Sequence, residues 1–97
     1  MRIATMAETA QIRIAPHNPG APLGTATVAH AMSILPNFAI LEFMFGDVPW
    51  RGDLITPAES IVDGYYTVPD GPGLGVTLNE AVFEAHESPI PAYLPTN

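Results

Sequence analysis

The feature of this sequence that most constrains its fold is a short, almost wholly apolar segment at residues 38–43, FAILEF. Because Pro36 and Gly46 bound it, the segment is typical of a buried strand of the kind found in parallel sheets. Residues 11–15, QIRIA, alternate in character and predict an earlier strand. A loop and a helical pattern lie between the two segments. This order predicts a βαβ unit, and therefore an α/β fold.

The helix of this unit is indicated by Val28, Met32 and Leu35, which recur at helical spacing. Thr25 is a candidate N-cap for that helix, because threonine hydroxyls accept hydrogen bonds from the free N–H groups of a first turn. Pro36 is expected to end the helix, because the residue before a proline avoids the helical conformation.

Four local patterns predict elements outside this unit: a short helix, a β-hairpin, a turn and a last helix. They lie at residues 2–9, at 60–68 around Asp63-Gly64, at 70–75, and from Asn79 to about Ala85. Asp-Gly between two β-prone runs is a strong hairpin signal, and asparagine is a favoured N-cap. Residues 51–59 show no clear periodicity.

The low charge of the chain indicates a piece of a larger protein. Apolar residues make up 47% of the 97 residues and charged residues 13%, whereas about a quarter of the residues of a soluble domain are usually charged. Such a chain is too apolar for a disordered tail. The helical pattern that begins almost at Met1, directly before a strand, favours truncation over a genuine start.

The charge balance and the missing residue types exclude several functions. The net charge is −7, with Arg2, Arg13 and Arg51 as cations and no lysine, so a nucleic-acid or anionic-membrane partner is not expected. The absence of cysteine excludes a disulfide framework and a thiolate metal site. No secretion signal and no apolar run of about 18 residues is visible, so a cytoplasmic protein is expected.

Two side chains of catalytic type follow the two predicted strands. His17 comes just after the first strand and Glu42 stands at the end of the second. Because parallel strands end at the same edge of a sheet and lie about 4.8 Å apart, the two side chains can reach one pocket. A histidine can act as a general base near neutral pH, and a neighbouring carboxylate can orient it or bind substrate.

The residues around this pair resemble the enolase superfamily, specifically the mandelate racemase and muconate lactonizing enzyme group and its galactonate- and mannonate-dehydratase branch. The resemblance covers nearly the whole chain. It is carried by Ala15-Pro16-His17-Asn18-Pro19 with Gly20 and Leu23-Gly24, by Asn37 to Glu42, by Val48-Pro49-Trp50-Arg51, by Asp63-Gly64-Tyr65, and by Pro72-Gly73-Leu74-Gly75-Val76.

The resemblance implies the C-terminal portion of a (β/α)8 barrel, with the last βαβ unit at residues 1–46 and a C-terminal extension with a hairpin at 47–97. It implies dehydration of a small-molecule sugar acid through an enediolate stabilised by Mg²⁺. In that family pattern His17 matches the base, and Glu42 matches a carboxylate that contacts the substrate carboxyl group or the enediolate. Glu42 would then have to be protonated or share a proton, because two bare carboxylates repel each other.

The same resemblance implies that important parts lie outside this chain. The family's carboxylate metal ligands come from the third to fifth barrel strands, and the acid that orients the base comes from the sixth. A complete barrel takes about 250 residues. The 97-residue chain by itself is therefore predicted to be inactive, while its parent is expected to be a homo-oligomer.

Two other residues are weaker candidates. Asn18 is predicted to touch substrate or to position its loop, and Trp50 to wall the substrate pocket, with packing as the alternative. His30 and His86 are expected to be structural or surface residues.

Two rival functions stay open. A racemase or epimerase of the same superfamily would use His17 and Glu42 without expelling a hydroxyl group. A non-catalytic βαβ module would instead dock on a partner barrel or form oligomers through its open strand edges.

Overall fold

Three helices and four short strands follow one another along residues 1–87, which the computed structural model describes. The last part of the predicted extension, 88–97, lies outside the described residues. The helices are α1 (Arg2–Thr9), α2 (Pro22–Ser33) and α3 (Glu80–Ala85). The strands are β1 (Ile55–Thr56), β2 (Ile61–Val62), β3 (Tyr65–Tyr66) and β4 (Thr77–Leu78), and a 3-10 turn covers Arg51–Asp53.

The predicted βαβ unit is present as a parallel bridge between Ile14 and Phe38, with α2 in the connection. The N–H of Ile14 donates to the carbonyl of Asn37, and the N–H of Ala39 donates to the carbonyl of Ile14, both at 2.8 Å. The two predicted strands are reduced to this bridge. A strand extends only where a neighbour accepts and donates along it, and within residues 1–87 these two segments pair only at the bridge.

Helix α2 begins earlier than the sequence predicts, so the expected N-cap at Thr25 is wrong. The N-cap is Ala21, and Pro22 occupies the first turn, where its missing N–H costs nothing and its fixed φ suits a helix. Pro22, Thr25, Ala26 and Ala29 form the buried face at the i, i+3, i+4, i+7 spacing of an amphipathic helix. Thr25 is therefore a buried residue within the helix and its hydroxyl is available for tertiary contacts.

Helix α1 covers the predicted range and is joined to the bridge by Asn37. The side-chain Nδ2 of Asn37 donates to the carbonyls of Ala4 and Ile12, both at 3.0 Å. Ala4 is the buried residue of α1. Because Asn37 directly precedes Phe38, this amide fixes α1 against the start of the second bridge segment.

The C-terminal part contains two antiparallel pairs. Strands β2 and β3 pair as Ile61 with Tyr66 and Val62 with Tyr65, around Asp63 and Gly64 with φ values of 50° and 81°. Positive φ at both central residues is the geometry of the hairpin turn that Asp-Gly favours, so this prediction is confirmed.

The second pair, β1 with β4, joins segments that are distant in the chain and was not predicted. Ile55 pairs with Leu78 and Thr56 with Thr77. Directly after β4, Asn79 caps α3 as predicted: its side chain accepts from the N–H of Val82 at 3.4 Å.

The buried apolar residues within residues 1–87 are few and lie on several elements. They are Ala4 of α1, Ala26 and Ala29 of α2, and Leu54 and Ile55 at the start of β1. His30 on α2 ties the predicted turn to the unit, since its Nε2 lies 3.0 Å from the carbonyl oxygen of Leu74. None of the helices within residues 1–87 has the length and apolar character that crossing a membrane demands.

Candidate active site

His17 and Glu42 meet just beyond the parallel bridge. The Nδ1 atom of His17 lies 2.6 Å from Oε2 of Glu42. The bridge pairs Ile14 with Phe38. His17 comes three residues after the first and Glu42 four residues after the second. The side chain of His17 is 78% exposed and that of Glu42 is 42% exposed, so the pair is accessible from solvent. Such a pair can hold, accept and release a proton.

The buried residue Asn18 holds Glu42 with two hydrogen bonds. Its backbone N–H donates to Oε2 of Glu42 at 2.6 Å, and its side-chain Nδ2 donates to the backbone carbonyl of Glu42 at 3.0 Å. The residue is 4% exposed. Nδ2 also donates to Oγ1 of Thr25 at 3.1 Å, so both of its protons are used within the protein. These contacts correspond to the loop-positioning alternative for Asn18.

A buried ion pair that the sequence did not single out as a site lies behind Asn18. Arg51 donates from Nε to Oε2 of Glu59 at 2.8 Å and from Nη2 to Oε1 of the same carboxylate at 3.1 Å. Both side chains are buried. A bidentate arginine–carboxylate pair of this kind has a fixed geometry. Its Nη2 also donates to Oγ1 of Thr25 at 3.3 Å, which connects the pair to the contacts of Asn18.

Sequence signals for this pair existed but were weak. Arg51 is one of three cations in the chain, and Asp47 precedes it by four residues, the spacing at which it pairs with Arg51 Nη1 at 3.2 Å. A rare cation between acids is a candidate for a buried ion pair. Glu59 and Thr25 could not be assigned as partners, because nothing local to either residue points to Arg51.

Trp50 lies in a different set of contacts from the other predicted site residues. Its ring stacks on that of His86, with centroids 4.2 Å apart and an interplanar angle of 26°. It also borders a small cavity of about 110 Å³ together with Pro22 and Arg51. The structure thus brings His17, Asn18 and Glu42 together, and it places Trp50 against His86.

The described residues do not fit a metal ion. Within residues 1–87, no three or more histidine, aspartate or glutamate side chains come together in a way that could hold a cation. His17 and Glu42 are two donors, and Mg²⁺ requires near-octahedral coordination by oxygen. The part of the chain that the structure describes therefore contains the His17–Glu42 contact but no set of ligands for the magnesium ion that the resemblance implies.

Known proteins match this chain closely in sequence. A D-galactonate dehydratase family member from Streptomyces bingchenggensis is 42% identical over 97 residues, covering 97% of this chain and 23% of that protein. The D-xylonate dehydratase of Haloferax volcanii is 35% identical over 85 residues, covering 88% of this chain and 21% of that enzyme. The chain thus spans less than a quarter of the length of these curated relatives.

A solved structure and a family model identify the fold and the family of the chain. A crystal structure described as that of an L-alanine-DL-glutamate epimerase from Burkholderia xenovorans strain LB400, bound to magnesium and fumarate, matches this chain with a TM-score of 0.80 and 33% identity. The match covers 88% of this chain and 21% of that one. The family model described as enolase C-terminal domain-like matches residues 1–82. The bridge and helix described above are therefore a portion of a (β/α)8 barrel, and the chain belongs to the enolase C-terminal domain-like family.

Proposed function

We propose that this chain supplies the proton-transferring part of the active site of a magnesium-dependent enzyme that removes water from a sugar acid of the galactonate or mannonate type. His17 is the base and Glu42 its carboxylate partner. The observation that carries the proposal is the 2.6 Å contact between His17 Nδ1 and Glu42 Oε2. The dehydratase names of two relatives support the choice of reaction.

The contact favours one tautomer of the His17 imidazole. A carboxylate at Nδ1 holds a proton on that nitrogen, which leaves the lone pair of Nε2 free. The exposed Nε2 edge can then take the proton from the carbon next to the substrate carboxylate. The proton taken up by Nε2 then passes to the hydroxyl group on the following carbon, which leaves as water, and the enol that remains rearranges to a 2-keto-3-deoxy acid. The proton on Nδ1 stays with the His17–Glu42 pair during this transfer.

This arrangement changes the role expected for Glu42. The resemblance implies a carboxylate that contacts the substrate, whereas the geometry supports a carboxylate that orients His17. Because Oε2 already accepts from Asn18 and faces His17, only Oε1 is available to a substrate. Glu42 can therefore serve both roles through its two different oxygens.

Asn18 and Trp50 remain proposed contributors to the site. Asn18 is proposed to hold Glu42, with Oδ1 as the atom left to contact substrate. Trp50 is proposed as a wall of the substrate pocket, close to the α2 N-terminus, where it borders the small cavity.

Magnesium belongs to the proposal for the parent enzyme. When bound, it would stabilise the negative charge that develops after proton removal. Because the described residues hold no set of ligands for it, the 97-residue chain with Mg²⁺ and a panel of sugar acids is expected to show no turnover. Clear turnover by the purified chain would contradict the proposed division of the active site.

The proposed function is tested in a chimaera in which this chain replaces the segment that it matches in the D-xylonate dehydratase of Haloferax volcanii. The chimaera is expected to dehydrate D-xylonate, because the host supplies the remainder of the enzyme. His17→Asn in the chimaera should lower kcat by about 10²–10⁴, the usual contribution of a general base. His30→Asn is the matched control, because His30 lies against Leu74 and should leave kcat nearly unchanged.

Product analysis separates the proposed reaction from its rival. A keto acid supports dehydration, whereas substrate with an inverted centre next to the carboxylate would support a racemase or epimerase. A folded chimaera in which His17→Asn keeps full activity would refute the assignment of the base in either reaction.

A further inference from the structure

Arg51 has an acceptor for each of its five N–H donors, although the residue is buried. Two go to Glu59, one to Asp47 and one to the carbonyl of Gly20 at 3.2 Å. The fifth goes to Oγ1 of Thr25 at 3.3 Å. A planar guanidinium with all donors engaged has one orientation. Arg51 therefore fixes both the loop carbonyl of Gly20 and the hydroxyl of Thr25.

Thr25 joins Arg51 to the candidate active site. Its side chain is fully buried, and Oγ1 accepts from Arg51 Nη2 and from Asn18 Nδ2. A hydroxyl oxygen has two acceptor positions, and both are used. The Oγ1–H group faces the carbonyl of Ala21 at 3.5 Å. A single oxygen atom thus links the C-terminal segment to the loop that carries His17 and Asn18.

Asn18 carries the link on to Glu42. Its backbone N–H and its Nδ2 both bond to Glu42, the first to Oε2 and the second to the main-chain carbonyl. The same Oε2 atom contacts His17 Nδ1. Each step from Arg51 to His17 is therefore a direct hydrogen bond or ion-pair contact between named atoms.

We propose that Thr25 and Arg51 are positioning residues for the His17–Glu42 pair. Neither contacts His17, and both are buried behind it. They hold Asn18 so that Oε2 of Glu42 faces Nδ1 of His17. The inference rests on the proposed function, since it gives the buried cluster a role in proton transfer beyond attaching the C-terminal segment.

The first experiment measures the backbone amide of Asn18, which donates to Glu42 Oε2, in the full 97-residue chain by ¹⁵N NMR. Thr25→Val keeps the shape of the side chain and removes the shared oxygen. Without the contact from Asn18 Nδ2 to Thr25 Oγ1, the backbone hydrogen bond from Asn18 to Glu42 should weaken. We therefore expect the backbone amide proton of Asn18 to shift upfield and to exchange with solvent about tenfold faster, the effect of losing one typical hydrogen bond. Thr25→Ser restores the oxygen and should restore both values. Thr27→Val is the matched control, because Thr27 is exposed on the same helix and bonds only to the carbonyl of Leu23.

Arg51→Lys provides an independent variant. Lysine keeps the positive charge beside Glu59, but its single ammonium group cannot reach Glu59, Gly20 and Thr25 together. The Asn18 amide should therefore change in the same direction as in Thr25→Val. An unchanged Asn18 amide in both variants overturns the positioning role. A Thr25→Val chain whose whole spectrum collapses also overturns it, because the hydroxyl would then serve general stability.

Kinetics of the chimaera give the second readout. Thr25→Val is expected to lower kcat about tenfold with KM changed less than about twofold, because the base is misplaced while substrate binding persists. A rise in KM alone overturns the positioning role. If the unsubstituted chimaera folds but shows no turnover while the NMR result is as expected, the proposed function fails and the link from Thr25 to Glu42 stands.

Discussion

Tyr66 places its hydroxyl near the buried Arg51–Glu59 pair, yet this hydroxyl has no hydrogen-bond partner within residues 1–87. Burial raises the pKa of Tyr66 above its ordinary value of 10.0, and the charge of Glu59 raises the pKa further, while Arg51 opposes these effects. The neutral phenol is therefore the form that the folded chain favours.

Tyr66 should make folding stability depend on alkaline pH. The unfolded chain loses its phenol proton near pH 10, whereas the folded chain keeps it to higher pH. This contribution is fully present below about pH 10 and is lost as the pH rises through the folded pKa. Denaturant unfolding at a series of pH values from 8 to 11 measures the loss.

Tyr66→Phe should weaken that dependence and raise stability at neutral pH by up to about 1 kcal/mol, because it removes a buried hydroxyl that has no hydrogen-bond partner among residues 1–87. Tyr65→Phe is the control, since Tyr65 is 79% exposed. Equal pH dependence in the two variants would contradict the assignment to Tyr66.

The meeting of His17 and Glu42 follows from their positions after two parallel segments, and the sequence contains that information locally. The cluster behind them does not. Threonine is a residue type favoured at N-caps, but the helix already starts at Pro22, and the hydroxyl of Thr25 is therefore available to other partners. Arg51 finds its acceptors on Gly20 and Thr25, 31 and 26 residues earlier. Such choices depend on tertiary packing, which no local pattern encodes.

The turn after β3 is held against α2 and tolerates almost no side chain at one position. Gly75 has a φ of +69°, and a Cβ there would lie 2.7 Å from Cβ of Pro69 and 2.9 Å from N of Gly71. The carbonyl of the neighbouring Leu74 contacts His30 of α2. The conformation of this turn therefore helps to fix the extension on the βαβ unit.

Gly75→Ala should destabilise the chain by about 2 kcal/mol or more, because a positive φ costs an L-residue about 1–2 kcal/mol and the clash adds to it. Gly24→Ala is the opposite case: nothing lies within 4 Å of its Cβ position, and alanine in a helix is favoured over glycine by up to about 1 kcal/mol. Urea unfolding of the two variants measures both effects. Similar stabilities would contradict the packing described for the turn.

Three elements that depend on local signals match their predictions, whereas one pair of distant segments was not predicted. Helix α1, the Asp63-Gly64 hairpin and the Asn79-capped α3 depend on neighbouring residues. The pairing of β1 with β4 joins two-residue segments about twenty residues apart, which is too short for a periodic pattern. The FAILEF segment has the composition of a buried strand. A full strand would need hydrogen-bonding neighbours along its length, and the described residues supply one bridge.

Much apolar surface remains exposed on the described part of the chain. Phe45 is 89% exposed, and Ile3 and Met6 of α1 are also exposed. An apolar groove of about 510 Å³ lies between α2, residues 38–45 and the β2–β3 hairpin. Contiguous apolar surface of this kind is typical of an interface.

The isolated chain is therefore expected to associate in a concentration-dependent way, as measured by sedimentation velocity. Phe45→Asn should shift the distribution towards monomer, because Phe45 borders the groove and contributes little to the buried core. Thr27→Asn, on an exposed part of α2, should leave it unchanged. A single discrete oligomer would favour the non-catalytic module, open-ended aggregation would favour a part of a larger barrel, and a monomer at all concentrations would contradict the expectation.

The oxygen that Asn18 and Arg51 share has a consequence for recombination among relatives. A crossover placed between residues 25 and 51 would combine a threonine from one parent with an arginine from the other, and any mismatch would leave a buried donor without an acceptor. Gene shuffling within this family should therefore recover functional hybrids more often when residues 18–59 are inherited from one parent. The segment that must be inherited together is then defined by this shared oxygen, and it extends across the boundary predicted at residues 46 and 47.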